Sequence, residues 1–335
     1  MPHLARTVLP TLIVAAACAW PCWHGPAGRD TARAAAQPAP PEVSFDAGDG
    51  TVALKVGGTV VGTYVYADPV VTRPHFRNLL APGGTPVTRA HPPVAGRDAT
   101  DHADMHPGAW LAFADVGGAD VWRNKARVDH VKFAAQPEAG PGRGTFAVVN
   151  RYIDGDRVVC EETCRYTLAV RPAGYLLVCD STFRAIDGEL TFGDQEEMGF
   201  GVRVATGITV KPGGGRIVDS EGRENEAGVW GKRAAWVDYS GTIDGSRVGV
   251  MLIPDPANAH PSRFHVRDYG LMAANPFGRK AFGVADEGLV VVPAGTEYRL
   301  RFAVLLHATK PDGQLDHKAA YEDGLRFFRD APSPE

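Results

Sequence analysis

The stretch TFAVVNRYIDGDRVVCEETCRYTLAVRPAGYLLVCDSTFRAI, residues 145–186, decides the fold. It contains three long runs rich in β-branched and aromatic residues. DGD (154–156) and RPAG (171–174) separate the runs, and both have residue types that are typical of tight turns. Three such runs joined by such short connections predict an antiparallel meander.

The same pattern continues on both sides of this stretch. Upstream, TVALKVGGTVVGTYV (51–65) predicts a hairpin that turns at its Gly-Gly pair. Downstream, Asp244-Gly245 predicts another hairpin, between DYSGTI and SRVGVMLIP. No alternation of strands with helices appears, which argues against a parallel sheet. Nearly 300 residues of such strands predict two large sheets packed face to face.

One helix is predicted, at the C-terminal end of the chain. In LDHKAAYEDGLRFFRD (315–330), Tyr321, Leu325 and Phe328 recur at spacings of four and three, as on one face of a helix. The predicted fold class is therefore all-β: a large two-sheet antiparallel β-sandwich of the supersandwich type, with a C-terminal helix.

The beginning of the chain differs from the rest. VLPTLIVAAACAW (8–20) is an apolar run that is too short for a membrane span and typical of a signal peptide. We predict a signal peptide at 1–36, a linker at 37–42 and a single domain at 43–335. The protein is expected to be exported, to the periplasm or outside the cell, without a transmembrane anchor. A lipoprotein attached at Cys18 is a minor alternative, because the usual leucine three residues earlier is missing.

Composition limits the partners. Lys and Arg total 35 against 39 for Asp and Glu, a net charge of −4, so no basic surface for nucleic acid is expected. The sequence contains no GxSxG, no GxGxxG that opens a helix and no Walker motif, so it indicates no cofactor. A small-molecule or saccharide substrate is expected, and the oligomeric state stays open.

Three of the five cysteines fall in the predicted domain. Cys160 and Cys164 on one strand face would be about 13 Å apart, too far for a disulfide. If RPAG turns a hairpin, Cys179 lies opposite Thr167, and Cys164 points to the other face. A disulfide is therefore not assured, and cysteines that pack as small hydrophobic side chains are expected. The disulfide state stays open.

Four titratable residues crowd the loop TDHADMHPGAWLAF (100–113), just before an apolar run. His102 and His106 are candidate proton donors in acid–base chemistry. Metal binding by His102-x-Asp104 is a weak alternative, because this short pattern occurs by chance at about this chain length. Pro107 also disfavours a helical ligand pair at His106, and no metal site is predicted. A solvated loop is the simplest alternative.

Two further segments add candidate catalytic residues. Glu196 and Glu197 precede a predicted strand, and either is a candidate base. On a strand only one of them would enter a site. His265 is a third candidate donor. The expected substrate-binding residues are Arg73, His75, Arg203, Arg267, Asp268 and Trp110. The alternative is a structural role, in which each of these residues forms a surface ion pair or packs in the core.

Taken in order, the long motifs resemble the PmoA family of exported bacterial proteins, and the resemblance covers roughly residues 43–309. The motifs are RPHFRNLLAPGGTPVT (73–88), DHADMHPGAWLAFADVGGADVW (101–122), FGDQEEMGFGVRVAT (192–206), WGKRAAWVDYSG (230–241) and HPSRFHVRDYGLMAANPFG (260–278). The resemblance implies a domain common in bacteria that degrade saccharides. The predicted sandwich is also similar, more weakly, to the galactose-mutarotase-like supersandwich.

The loop departs from the family pattern, which reads roughly Asp-His-Pro-His-His-Arg-Gly. The positions that match are Asp101, His102, His106, Gly108 and Trp110. Met105 stands where the family has a histidine, and Pro107 where it has an arginine. If relatives bind a metal through paired histidines, this chain lacks one ligand. This departure lowers the expectation of metal binding and of full activity.

The polar segments together, in a fold without other catalytic motifs, predict a carbohydrate-active protein that uses acid–base chemistry on a sugar or sugar-derived substrate. One alternative is a non-catalytic saccharide-binding module. The other is a metal-dependent oxygenase, because the PmoA family bears the label "methane oxygenase".

Overall fold

A computed structural model describes residues 39–284, 288–310 and 312–330. These residues form two large antiparallel sheets, of nine and eight strands, and one two-stranded sheet. The predicted all-β architecture of two large sheets is confirmed. The predicted signal peptide lies outside the described residues. The first strand begins at Glu42, the last residue of the predicted linker.

The nine-stranded sheet combines the N-terminal hairpins with strands from the second half of the chain. In spatial order its strands are β16 (Arg263–Arg267), β17 (Leu271–Asn275), β12 (Met198–Arg203), β5 (Ala109–Phe113), β4 (His75–Arg77), β3 (Thr59–Val65), β2 (Thr51–Val56), β1 (Glu42–Gly48) and β7 (Gly140–Pro141). The Gly57-Gly58 pair turns the predicted hairpin, because both glycines have positive φ angles.

The eight-stranded sheet contains the long meander. In spatial order its strands are β13 (Arg216–Asp219), β14 (Val237–Ile243), β15 (Ser246–Pro254), β19 (Glu297–Thr309), β10 (Gly174–Ala185), β9 (Arg157–Arg171), β8 (Arg143–Asp154) and β6 (Arg127–Glu138). The small sheet pairs β11 (Leu190–Phe192) with β18 (Val290–Val292). Both predicted turns of the meander and the Asp244-Gly245 hairpin are confirmed.

The core lies between the two large sheets. Phe113 of β5 contacts Phe183 of β10, with ring centroids 5.5 Å apart. Phe200 of β12 contacts Phe302 of β19 at 5.8 Å. Because side chains alternate along a strand, each sheet also has an outer face that points away from this core.

The outer face of the eight-stranded sheet is covered by the C-terminal helix α2 (His317–Asp330), which confirms the predicted helix. Phe327 and Phe328 pack against Met251, Ile253 and Leu305 of the sheet. Burial of each phenylalanine contributes about 2 kcal/mol. A second helix, α1 (Asn225–Val229), is a single short turn. No helix in the described part of the chain is long and apolar enough to cross a membrane.

The register of the β9–β10 hairpin corrects the expected cysteine geometry. Arg171 pairs with Gly174, so Cys179 lies opposite Tyr166 and not Thr167. Cys164 and Cys179 therefore share a face, with their Sγ atoms 3.5 Å apart. All three described cysteines are buried and free.

Candidate functional site

The outer face of the nine-stranded sheet carries the polar residues that the sequence singled out. Phe76 and Phe264 belong to the core between the sheets. Their neighbours His75 and His265 therefore point to the outer face, and the strand register places Arg203 there as well. Residues of the neighbouring loops and of β16 line an open cavity beside this face.

The cavity has a volume of about 660 Å³, which suits a small organic ligand. Its lining is polar and charged. The lining residues are Arg123, Asp194, Gln195, Glu196, Glu197, His265, Arg267, Tyr269, Lys280 and Ala281. Four of the predicted site residues, Glu196, Glu197, His265 and Arg267, are thus brought together from segments about 70 residues apart in the sequence.

Both glutamates line the cavity, although the sequence suggested that only one could enter it. The alternation rule does not apply to them, because β12 begins only at Met198. Oε2 of Glu196 lies 3.2 Å from Nη2 of Arg267 and 3.4 Å from Nδ1 of His265. Glu197 forms an ion pair with Arg123. The two carboxyl groups therefore have separate cationic partners.

The surroundings in the cavity shift the pKa of two titratable groups, Glu197 and His265, and these shifts matter for proton transfer. Burial raises the pKa of Glu197, although the charge of Arg123 opposes that shift. Burial, together with the charge of Arg267, lowers the pKa of His265 to about 3. At neutral pH the His265 ring is therefore uncharged, and it can donate or accept a hydrogen bond as a neutral imidazole. The role of His265 as a proton donor stays a prediction.

The loop of Asp101, His102 and His106 stands beside the cavity and is tied down by a buried arginine of β12. Arg203, which is 1% exposed, donates from Nη1 and Nη2 to the two carboxylate oxygens of Asp101, both at 2.9 Å. Nδ1 of His102 lies 2.8 Å from the same carboxylate. Burial alone would raise the pKa of Asp101, but the hydrogen bonds from Arg203 and His102 outweigh it and hold that pKa at about 2.

A second buried arginine holds the backbone of this loop. Nη1 of Arg89 donates to the carbonyl oxygens of Ala99 and Asp101, at 2.9 and 2.7 Å. Its Nη2 donates to the carbonyl of His106 at 3.1 Å. These bonds satisfy carbonyl groups that an irregular loop would otherwise leave unpaired, so the loop is held in place beside the cavity.

Stacked rings connect the loop to the cavity. The His106 ring stacks on Trp110 at 5.2 Å and on His102 at 4.9 Å. The His102 ring in turn faces Tyr269 at 6.2 Å. Cζ of Arg203 lies 4.5 Å from the centroid of the Tyr269 ring, so Arg203 stands behind the cavity wall that Tyr269 forms.

His106 itself is only 2% exposed and does not line the cavity. Burial and the positive charge of Arg203 lower its pKa to about 2, so its ring is neutral at physiological pH. A neutral buried imidazole does not supply a proton readily, in contrast to the role expected from the sequence. Its position in the ring stack makes it a support for His102 and Tyr269.

The remaining predicted binders, Arg73, His75 and Asp268, do not line the cavity. Nη1 of Arg73 donates to the carbonyls of Val121 and Trp122 at 3.1 and 3.0 Å, and its Cζ lies 5.6 Å from the ring centre of Trp110. The carboxylate of Asp268 accepts from the backbone N–H of Glu226 at 2.9 Å. The structure therefore gives Arg73 and Asp268 contacts that fix neighbouring loops.

The sequence predictions did not include Arg123 and Tyr269 of the lining, nor two residues that fix the loops around the cavity. Asp194 accepts four backbone N–H groups at 2.8 to 3.2 Å, from Arg279, Lys280, Ala281 and Gly288. Asn275 donates from Nδ2 to the carbonyls of Gln195 and Glu196, at 2.8 and 3.0 Å. Its Oδ1 accepts from the backbone N–H groups of residues 277 and 278, as in an Asx turn, and the Asn-Pro-Phe-Gly sequence was the available signal.

A group of three side chains with the spacing of metal ligands lies outside the cavity. Within the described ranges, Asp68, His75 and His91 form a group whose ligand atoms lie within 4.8 Å of one another. The His102–His106 loop forms no such group among these residues. Sequence reasoning included His75 only as a substrate binder.

Comparison with known proteins gives a family match. Residues 51–320 match the profile of DUF6807, a family of unknown function. No protein with a curated description matches the chain. The PmoA resemblance of the motifs stays a prediction.

Two solved structures share a remote likeness. One is a protein from the human microbiome assigned as a kojibiose phosphorylase, with 6% identity and a TM-score of 0.37, over 87% of this chain and 33% of that one. This chain thus spans about a third of the phosphorylase's length. The other is the GalM/aldose epimerase homologue from C. elegans, with 11% identity and a TM-score of 0.32, over 79% and 99% of the two chains. At such TM-scores the likeness indicates no shared activity.

Proposed function

We propose that this chain, which belongs to the DUF6807 family of unknown function, is an enzyme that performs acid–base chemistry on a sugar or sugar-derived substrate. The single observation that carries the proposal is the pairing of two carboxyl groups with different environments in one cavity, Glu197 and Glu196. In line with the expected export signal, the substrate would be a saccharide outside the cytoplasm.

Glu197 is the proposed general acid. Burial raises the pKa of its carboxyl group and so favours the protonated form in which it can donate. Arg123 stands beside it and would stabilise the carboxylate that remains after the proton has left. A carboxyl group with these two features can protonate the oxygen of a leaving group or of a ring-opened sugar.

Glu196 is the proposed base. Its Oε2 atom forms an ion pair with Nη2 of Arg267 at 3.2 Å, and a base accepts a proton as the carboxylate. Asn275 holds the backbone carbonyl of Glu196, so the base sits on a fixed turn. His265, 3.4 Å from the Glu196 carboxylate, would bond to a substrate hydroxyl as a neutral imidazole.

The charges and rings of the cavity favour a substrate with hydroxyl and carboxylate groups. Arg123 and Arg267 offer planar guanidinium groups, which suit a sugar carboxylate or a pair of hydroxyls. Tyr269 presents an aromatic wall on which the apolar face of a sugar ring can pack. We therefore expect acidic saccharides, such as uronates, among the substrates.

The test is a screen of neutral and acidic saccharides with the wild-type protein, followed by Glu197→Gln, Glu196→Gln and a matched surface control, Glu161→Gln. Glu161 pairs with Arg151 at 3.3 Å on the eight-stranded sheet, far in the fold from the cavity. Each cavity variant should lose about 100-fold or more in kcat and retain substrate binding. Glu161→Gln should match the wild type.

Two outcomes contradict the proposal. Turnover in Glu197→Gln within twofold of the wild type would remove Glu197 as the acid. Saccharide binding by the wild type without any product would identify a non-catalytic binding module.

A further inference from the structure

Three residues outside the cavity converge from separate parts of the chain. Asp68 follows β3, His75 begins β4, and His91 lies in the loop after it. One side-chain oxygen or nitrogen from each lies within 4.8 Å of the others. His75 is 1% exposed, whereas Asp68 and His91 are partly exposed, so the group is buried on one side and reachable from the other.

His75 is held as metal-bound histidines usually are. Its Nδ1 lies 3.1 Å from the carbonyl oxygen of Arg73, to which it donates, and this bond fixes the ring orientation and leaves Nε2 with a free lone pair. Nε2 is shielded from solvent and has no hydrogen-bond partner among the described residues. A buried nitrogen in that state is rare unless a ligand satisfies it.

The other two residues are also prepared to coordinate. Oδ1 of Asp68 accepts the backbone N–H groups of Val70 and Val71, at 2.8 and 2.9 Å, which fixes the carboxylate. Nδ1 of His91 is buried and has no hydrogen-bond partner in the described part of the chain. The rings of His75 and His91 meet edge to face, with centroids 5.4 Å apart. The group thus contains two imidazoles, each with a buried nitrogen that has no partner in the described part of the chain, and one fixed carboxylate.

We propose that Asp68, His75 and His91 bind a divalent transition-metal ion of the zinc class. Two imidazoles and one carboxylate are ligands that Zn²⁺, Co²⁺ and Fe²⁺ accept, whereas Ca²⁺ and Mg²⁺ prefer oxygen alone. Three protein ligands leave at least one position for water or an exogenous ligand. Metal–ligand bonds of about 2.0 to 2.2 Å require the three side chains to draw closer by small rotations.

Metal binding here would also stiffen the support of the cavity wall. The carbonyl of Arg73 accepts from His75, while its guanidinium donates to the carbonyl of Met105 in the His106 loop. Arg89, two residues before His91, holds the same loop through the carbonyl of His106. The metal would thus join the two segments from which both arginines project.

The test uses the full-length chain, stripped with a chelator and titrated with Co²⁺, with the visible absorption of the ion as the readout and Zn²⁺ as the competitor. The variants are His91→Ala and Asp68→Asn, both of which change partly exposed side chains, so the fold should be retained. His260→Ala removes an exposed loop histidine and is the matched control. Circular dichroism checks that each variant is folded.

The wild type and His260→Ala should bind one equivalent of Co²⁺, which Zn²⁺ displaces. His91→Ala and Asp68→Asn should bind at least about 100-fold more weakly. Binding that is equal in the wild type and His91→Ala would overturn the proposal, as would binding that His102→Ala abolishes and His91→Ala does not. Because the readout is metal binding and not turnover, the result is independent of the proposed function.

Discussion

The ion pair between Asp101 and the buried Arg203 makes a quantitative prediction about stability. Asp101→Asn removes the charge that Arg203 pairs with and leaves the shape of the side chain almost unchanged. Hydrogen bonds from Arg203 and His102, acting against burial, lower the pKa of Asp101 from 3.8 to about 2. That gap corresponds to about 2.4 kcal/mol if none of the interaction is screened by solvent.

Asp101 is 40% exposed, so screening reduces its own contribution to about 1 kcal/mol. The variant also leaves the charge of Arg203 buried without its partner, which adds a further cost. We expect Asp101→Asn to lower the free energy of unfolding by about 2 kcal/mol at pH 7, measured by urea denaturation.

The pH dependence follows from the direction of the shift. Because the pKa of Asp101 is lower in the folded state, its stabilisation is almost complete above about pH 5 and is lost as the pH falls through 3.8 towards 2. About half of the difference between the wild type and Asp101→Asn should have disappeared at pH 3. Unfolding curves at pH 7, 5, 4 and 3 measure this.

Asp46 provides the matched control, because it forms an ion pair with Lys55 at 2.8 Å but is 64% exposed. Asp46→Asn should change the free energy of unfolding by less than about 0.5 kcal/mol. The reasoning fails if Asp101→Asn costs no more than Asp46→Asn at pH 7. It also fails if the cost of Asp101→Asn grows as the pH falls.

Two further predictions concern Asp194 of the cavity and the buried cysteines. Asp194→Asn weakens four hydrogen bonds from backbone N–H groups to a carboxylate, so the free energy of unfolding should fall by about 2 kcal/mol. The amides of residues 279–281 and 288 should also exchange hydrogen faster, and unchanged exchange at these amides would contradict this role of Asp194. Burial raises the pKa of Cys160 and Cys164, so labelling with a thiol reagent, located by mass spectrometry, should reach neither residue before the protein unfolds. Labelling of Cys160 or Cys164 in the folded protein would contradict this prediction and would show that the labelled side chain is accessible to the reagent.

The fold was largely predictable because its signals are local. Runs such as YLLVCDSTFRAI alternate or are continuously apolar, and short turns of glycine, aspartate and proline join them, so each hairpin is visible in a few residues. The register in which neighbouring strands pair was harder to predict. The turn at Pro172 and Ala173 has two residues, and a shift of one position in the expected pairing reversed the face of Cys179 relative to Cys164.

The candidate site was predictable only in part. Glu196, Glu197, His265 and Arg267 were chosen as polar residues beside strands, and they do share one cavity. His106 was chosen for the same reason, but it is buried, and no local pattern reports the charge of Arg203, which lies 97 residues away in the sequence. Asp68 and His91 were not predictable as ligands, because 23 residues separate them and neither stands in a motif.

The amino-acid sequence by itself determined the architecture. Its apolar residues alternate with a period of two, its turns have the residue types that tight turns need, and one segment has a helical period. Few folds other than two antiparallel sheets with a terminal helix fit these three features. Only the tertiary structure decided which polar residues meet and in which protonation state. Strand order places β12 beside β5 and β17, so residues far apart in the chain become neighbours. Burial and charge then set each pKa, and both are properties of the assembled surroundings and not of the residue.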